Sequence, residues 1–123
     1  MLSFNEFNKS TTFLKENLDD FVHFACDHLQ LPEKPDIKLL QSRENNMTTA
    51  NYCPNTKIIK IYAKGRALFD IARSLAHELV HHKQNINGET LDGSTGSDCE
   101  NEANATAGKI IRMYGEKNPQ FYE

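Results

Sequence analysis

Residues 77–81 read HELVH, and they lie inside a long segment with a strict helical period. From about Arg66 to Ile86, the residues Leu68, Ile71, Ala72, Leu75, Ala76, Leu79 and Val80 recur at steps of three and four, so this stretch folds as a helix with one buried face. On that helix His77 and His81 differ by about 40° and are separated by a rise of about 6 Å, so both imidazoles can reach one ion. They fall roughly opposite the stripe centred on Leu75 and Leu79, and therefore face either solvent or a cleft closed by another element. Glu78 lies about 100° round from His77, within reach of a water held by such an ion. Neutral nitrogen ligands, an open position for water and a nearby carboxylate are what a catalytic zinc site requires. The competing reading is two solvated histidines on a polar helix face.

Two histidines do not hold a catalytic zinc, so a third protein ligand is required. Downstream, CENEANATAG (Cys99 to Gly108) falls in another helical segment, expected from about Asp98 to Tyr114 with Gly115 ending it. Glu100, Ala103, Asn104, Ala107 and Ile111 share one face of that helix. The small residues let a second helix come close. Glu100 can then complete a His77, His81, Glu100 set for one zinc ion per chain, and Asn104, one turn on, can hydrogen-bond a ligating histidine and fix its tautomer. Glu102 points about 200° away from Glu100 and is expected to be exposed. Cys99 is the chemical rival, because thiolate binds zinc well; as a fourth ligand it would close the site into a structural one. Glu100 is preferred because three hard or borderline ligands suit hydrolysis better.

The rest of the chain supplies the frame. Its 123 residues suffice for a single domain over 1–123. A net charge of −3 without a Lys/Arg run gives no footprint for nucleic acid or an anionic membrane, and no apolar stretch approaches a membrane span. The start, MLSFNEFNKS, lacks the basic and apolar blocks of a signal peptide, and Cys26, Cys53 and Cys99 are far apart, so they read as reduced thiols of a cytoplasmic protein. Ser3 with Glu6 has capping-box spacing and opens an amphipathic helix that runs to Leu29, with a break near Ser10 to Thr12. LPEKP stops it. Strands are expected at Asp36 to Leu40, Asn46 to Tyr52 and Lys57 to Tyr62, with a turn at Cys53 to Thr56 and a loop at Asn87 to Ser97. The fold class is α+β: a small antiparallel or mixed three-stranded sheet packed by an N-terminal helix, the HELVH helix and a C-terminal helix carrying the third ligand.

HELVH (His77 to His81) and ENEAN (Glu100 to Asn104) together resemble the gluzincin metallopeptidases, which carry HExxH on one helix and, on a later helix, a glutamate followed four positions on by Asp or Asn. The ExxAN form is most similar to the small ImmA/IrrE-type peptidases and to related phage-encoded minimal zincins. The resemblance covers about residues 57 to 115. Position by position it implies zinc on His77, His81 and Glu100, Glu78 as the general base of peptide-bond hydrolysis, and Asn104 supporting a ligand. It also implies a minimal zincin-like fold and a protein or peptide substrate lying as an added strand along Lys57 to Tyr62. The implied location is the cytoplasm, a host's if the chain is phage-encoded. The continuation ATAGKIIRMYG (Ala105 to Gly115) departs from the ImmA/IrrE pattern of a phenylalanine and an apolar run ending in proline.

An alternative function is a zinc-bearing regulatory or interaction module of the same fold with little or no hydrolysis. Glu78 argues against it, since such a site needs no base. His82 either contacts substrate or is a solvated or supporting side chain. Tyr114, near the Glu100 face but more than three turns along, either stabilises an oxyanion or packs in the core; Tyr52 and Tyr62 are weighed alike. Cys53 could enter the open zinc position. His23 and His28, five apart, split across faces and make no second metal site, and Lys57, Lys60 and Lys64 form a modest basic rim.

Overall fold

Along the strand Asp36–Leu40, Ile37 and Leu39 are fully buried while Asp36 and Lys38 are exposed, and Ile58–Tyr62 repeats the alternation with Ile59 and Ile61 buried. A period of two puts these four aliphatic side chains on one face, and that face must be covered by helices. The computed structural model describes residues 2–4, 9–43 and 49–122. Its elements in chain order are β1 (Leu2–Phe4), α1 (Lys9–Leu29), β2 (Asp36–Leu40), β3 (Ala50–Cys53), β4 (Ile58–Tyr62), α2 (Leu68–Ile86), α3 (Asp98–Lys117) and a 3-10 turn (Pro119–Tyr122). The chain is α+β, and no described helix is long and apolar enough to cross a membrane.

The sheet is mixed, in the order β1-β2-β4-β3. β2 runs parallel to β4, and β3 pairs antiparallel with β4 through the Pro54–Lys57 turn. Lys57 closes that turn at φ 58, with its N–H bonded to Cys53 O. The three expected strands are present, and β1 adds a short fourth one, parallel to β2, with Ser3 opposite Lys38. This corrects the expected start of the first helix. Ser3 belongs to a strand rather than to a capping box, and Glu6 lies outside the described residues, as do residues 46–48 of the expected middle strand. Helix α1 runs unbroken through Ser10–Thr12.

α2 is the central helix. Ile71, Ala72, Leu75, Ala76 and Leu79 are all fully buried, in one core with the sheet face and with Leu18, Phe21 and Ala25 of α1. Among the described residues α3 packs on α2, α1 and the 3-10 turn, not on the sheet. α3 also continues past the expected stop at Gly115, which is buried and has no positive φ. The helix ends instead at Asn118, the residue before Pro119, where a following proline disfavours the helical conformation.

Candidate active site

α2 and α3 lie side by side because Ala103 and Ala107, both essentially inaccessible, present nothing larger than a methyl group at their contact. The α3 N-terminus is set by Ser97, whose Oγ accepts from Glu100 N–H and donates to Asp92 O (2.7 Å). Ser97 and Glu100 have capping-box spacing, yet the Glu100 carboxylate is turned away towards the α2 histidines.

There His77, His81 and Glu100 meet. Their potential ligand atoms lie within 4.8 Å of one another, and no other group of three or more His, Cys, Asp or Glu gathers this way among the described residues. His81 Nε2 is 3.1 Å from His77 Nε2 and 2.6 Å from Glu100 Oε2, while Glu100 Oε1 is 3.3 Å from His77 Nε2. His77 Nδ1 donates to Asn104 Oδ1 (2.9 Å), and His81 Nδ1 donates to Gln84 Oε1 (2.8 Å). With both Nδ1–H groups used outward, two Nε2 lone pairs and a carboxylate converge with no N–H between the rings. Neutral groups are poorly served by that arrangement and a cation is well served. Nitrogen ligands at about 2.0–2.1 Å from a tetrahedral zinc lie about 3.3 Å apart, close to the observed Nε2 separation, and the donor set is one that catalytic zinc uses.

Gln84 was not foreseen from the sequence. It is 1% exposed, and its Nε2 donates to Cys99 O (3.0 Å) and to Glu102 Oε1 (2.7 Å). The available signal was its place three residues after His81, on the same helix face. Cys99, the rival ligand, is turned elsewhere: its Sγ donates to Asp92 O (3.0 Å) and accepts from Asp92 N–H (3.1 Å), so it pins the α2–α3 loop. Glu102 is exposed, as expected, although it accepts from Gln84.

Glu78 is buried at 8% exposure, and its carboxyl is pushed from 4.5 up to about 8, first by burial and then by the charge of Glu100. A folded-state value above the unfolded one means the folded chain keeps a proton that the unfolded chain has lost. Stability therefore falls as pH rises from about 4.5 to 8 in the metal-free protein. His77 and His82 are both shifted down, mainly by burial, which opposes this only below their ordinary value of 6.5. From pH 6.5 to 8, then, the metal-free protein loses thermal stability and Glu78→Gln flattens the profile; melting curves of chelator-treated protein test this, and a flat wild-type profile contradicts it.

The site opens onto a cleft of about 510 Å³ lined by Thr49 to Tyr52, His77, Glu78, His81, Leu91 and Glu100, among others. A second depression of about 250 Å³ continues past His77 and Glu78, sharing Thr49 and Ala50 and reaching Arg73 and Asn104. The strand along this groove is β3. β4, the strand expected to receive a substrate, is hydrogen-bonded on both sides, to β2 and β3, and has no edge to offer. β3 ends the sheet.

His82 is fully buried rather than solvated. Its Nε2–H donates to Glu33 O (3.3 Å), so its Nδ1 accepts from the Tyr52 hydroxyl (2.8 Å), which in turn accepts from Asn85 Nδ2 (3.0 Å). The Tyr52 ring lines the cleft while its proton points away from it. Tyr114 donates to the Asp20 carboxylate and packs against Phe21, Phe24 and Phe121; it belongs to the core. The Tyr62 ring lies under Arg43, and Cys53 is exposed on β3. His23 contacts Lys34, and Lys57 is paired with Glu33.

No family model, curated protein or solved structure matches this chain.

Proposed function

We propose that the chain is a zinc-dependent metallopeptidase of gluzincin type in a minimal zincin-like fold. The observation that carries the reading is the convergence of His77 Nε2, His81 Nε2 and the Glu100 carboxylate, with buried Glu78 beside them at the floor of an open cleft. Zinc, when bound, supplies Lewis-acid activation of a water and of a peptide carbonyl. Glu78 acts in its ionised form: its carboxylate takes a proton and returns it to the leaving amine. Asn104 and Gln84 hold the two imidazoles in orientation.

The groove follows β3 to both sides of His77 and Glu78, which favours an extended peptide paired along Ala50–Cys53. Cys26, Cys53 and Cys99 are unbridged, as suits the reducing cytoplasm. The test is incubation of zinc-reconstituted protein with a mixed peptide library read by mass spectrometry. Cleavage that a chelator abolishes and zinc restores is the expected result. Full zinc occupancy without cleavage would leave the alternative, a zinc-bearing regulatory module of the same fold.

A further inference from the structure

Resting on the zinc-site reading above, we infer that Gln84 is a positioning residue that fixes His81 in its metal-binding tautomer and ties it to the helix turn carrying Glu100. The Gln84 side chain is 1% exposed and its amide orientation is determined by its neighbours. Nε2 faces two acceptors, Cys99 O at 3.0 Å and Glu102 Oε1 at 2.7 Å, and neither can donate. Oε1 must therefore be the atom that faces His81 Nδ1, at 2.8 Å, and an amide oxygen there requires that Nδ1 bear the hydrogen. The Nε2 lone pair of His81 is then left for an ion. Without Gln84, the neutral ring has a better alternative: Nε2–H donating to Glu100 Oε2, now 2.6 Å away, which occupies both ligands with each other.

The second half of the side chain acts across the interface. Cys99 immediately precedes Glu100 in the first turn of α3, so the bond from Gln84 Nε2 to Cys99 O holds the two ligand-bearing helices in register. Glu102 strengthens this contact, because a carboxylate acceptor polarises the amide and makes Oε1 a better acceptor for the imidazole N–H. The chain Glu102–Gln84–His81 thus supports the second histidine as Asn104 supports the first.

Three forms of the full-length protein test this: wild type, Gln84→Met, and Gln84→Glu combined with Glu102→Gln. Methionine fills the volume without an acceptor for Nδ1. The double substitution exchanges the charge and restores an acceptor beside His81. Zinc affinity is read by chelator competition, and the His81 tautomer by nitrogen chemical shifts of the metal-free protein at pH 8. Gln84→Met should weaken zinc binding about 10- to 100-fold and move His81 towards the Nε2–H tautomer; the double variant regains the acceptor but not the donor to Cys99 O, so it should restore the tautomer and only part of the affinity. A purely structural role for Gln84 would lower the melting temperature without changing the tautomer. Gln84→Met with the wild-type tautomer, or with zinc affinity within twofold of wild type, would overturn the inference. If wild type itself fails to bind zinc, the metal reading fails, and the tautomer comparison still decides the role of Gln84.

Discussion

Glu78→Gln should lower peptide hydrolysis by about 10²- to 10⁴-fold while leaving zinc content at the wild-type level. Glutamine matches glutamate in shape, so the buried position on α2 stays filled, and His77, His81 and Glu100 are untouched. The amide cannot take a proton from water, and the loss therefore falls on turnover. The substitution also removes a carboxyl that burial makes costly to ionise, so after chelation the variant should be at least as stable as metal-free wild type above pH 8. Measuring zinc content, melting temperature and cleavage on the same preparations separates these effects. Undiminished cleavage by Glu78→Gln would remove Glu78 from the mechanism. Zinc lost along with activity would make it a ligand rather than a base.

Removing zinc should lower the melting temperature without unfolding the chain. The core of Ile37, Leu39, Ile59 and Ile61 on the sheet, with Leu75 and Leu79 of α2 and Leu18 and Phe21 of α1, is closed without any contribution from the site. The ligands join α2 to the first turn of α3, so the metal adds a cross-link to an already folded frame. Binding to the folded state alone stabilises it by about 2.7 kcal/mol when free zinc exceeds its Kd a hundredfold. For a chain of this length that is a rise of about 10 °C over the chelated protein. Unfolding on addition of chelator would instead mark the metal as a structural staple, and an unchanged melting temperature would mean that no zinc binds.

Much of the site-bearing half was legible because strong periodicity and local spacing agree there. The apolar stripe of α2 specifies a helix, and a helix brings His77 over His81 whatever surrounds it. Ala103 and Ala107 announce a close helix contact, and the same face carries Glu100 and Asn104. What escaped reading depends on partners remote in sequence. β1 is three residues long and exists through parallel pairing with β2, on the far side of α1. Capping-box spacing at Ser3 is a local signal that this distant pairing overrides. The exchange of β4 for β3 at the cleft has the same origin: Ile58–Tyr62 has the stronger strand composition, and for that reason it occupies the sheet interior and leaves the edge to the weaker Ala50–Cys53. A helical wheel left the role of His82 open between substrate contact, solvent and support, because nothing local shows that Tyr52 and the Glu33 carbonyl close over it. Gln84 was hidden because an amide on a polar helix face ordinarily bonds to water.

The most direct test of the metal centre is elemental analysis of the purified protein after zinc reconstitution, with Glu100→Ala prepared alongside. The account predicts one zinc per wild-type chain and a small fraction of that in Glu100→Ala. No zinc in wild type, or equal zinc in the two proteins, would contradict it.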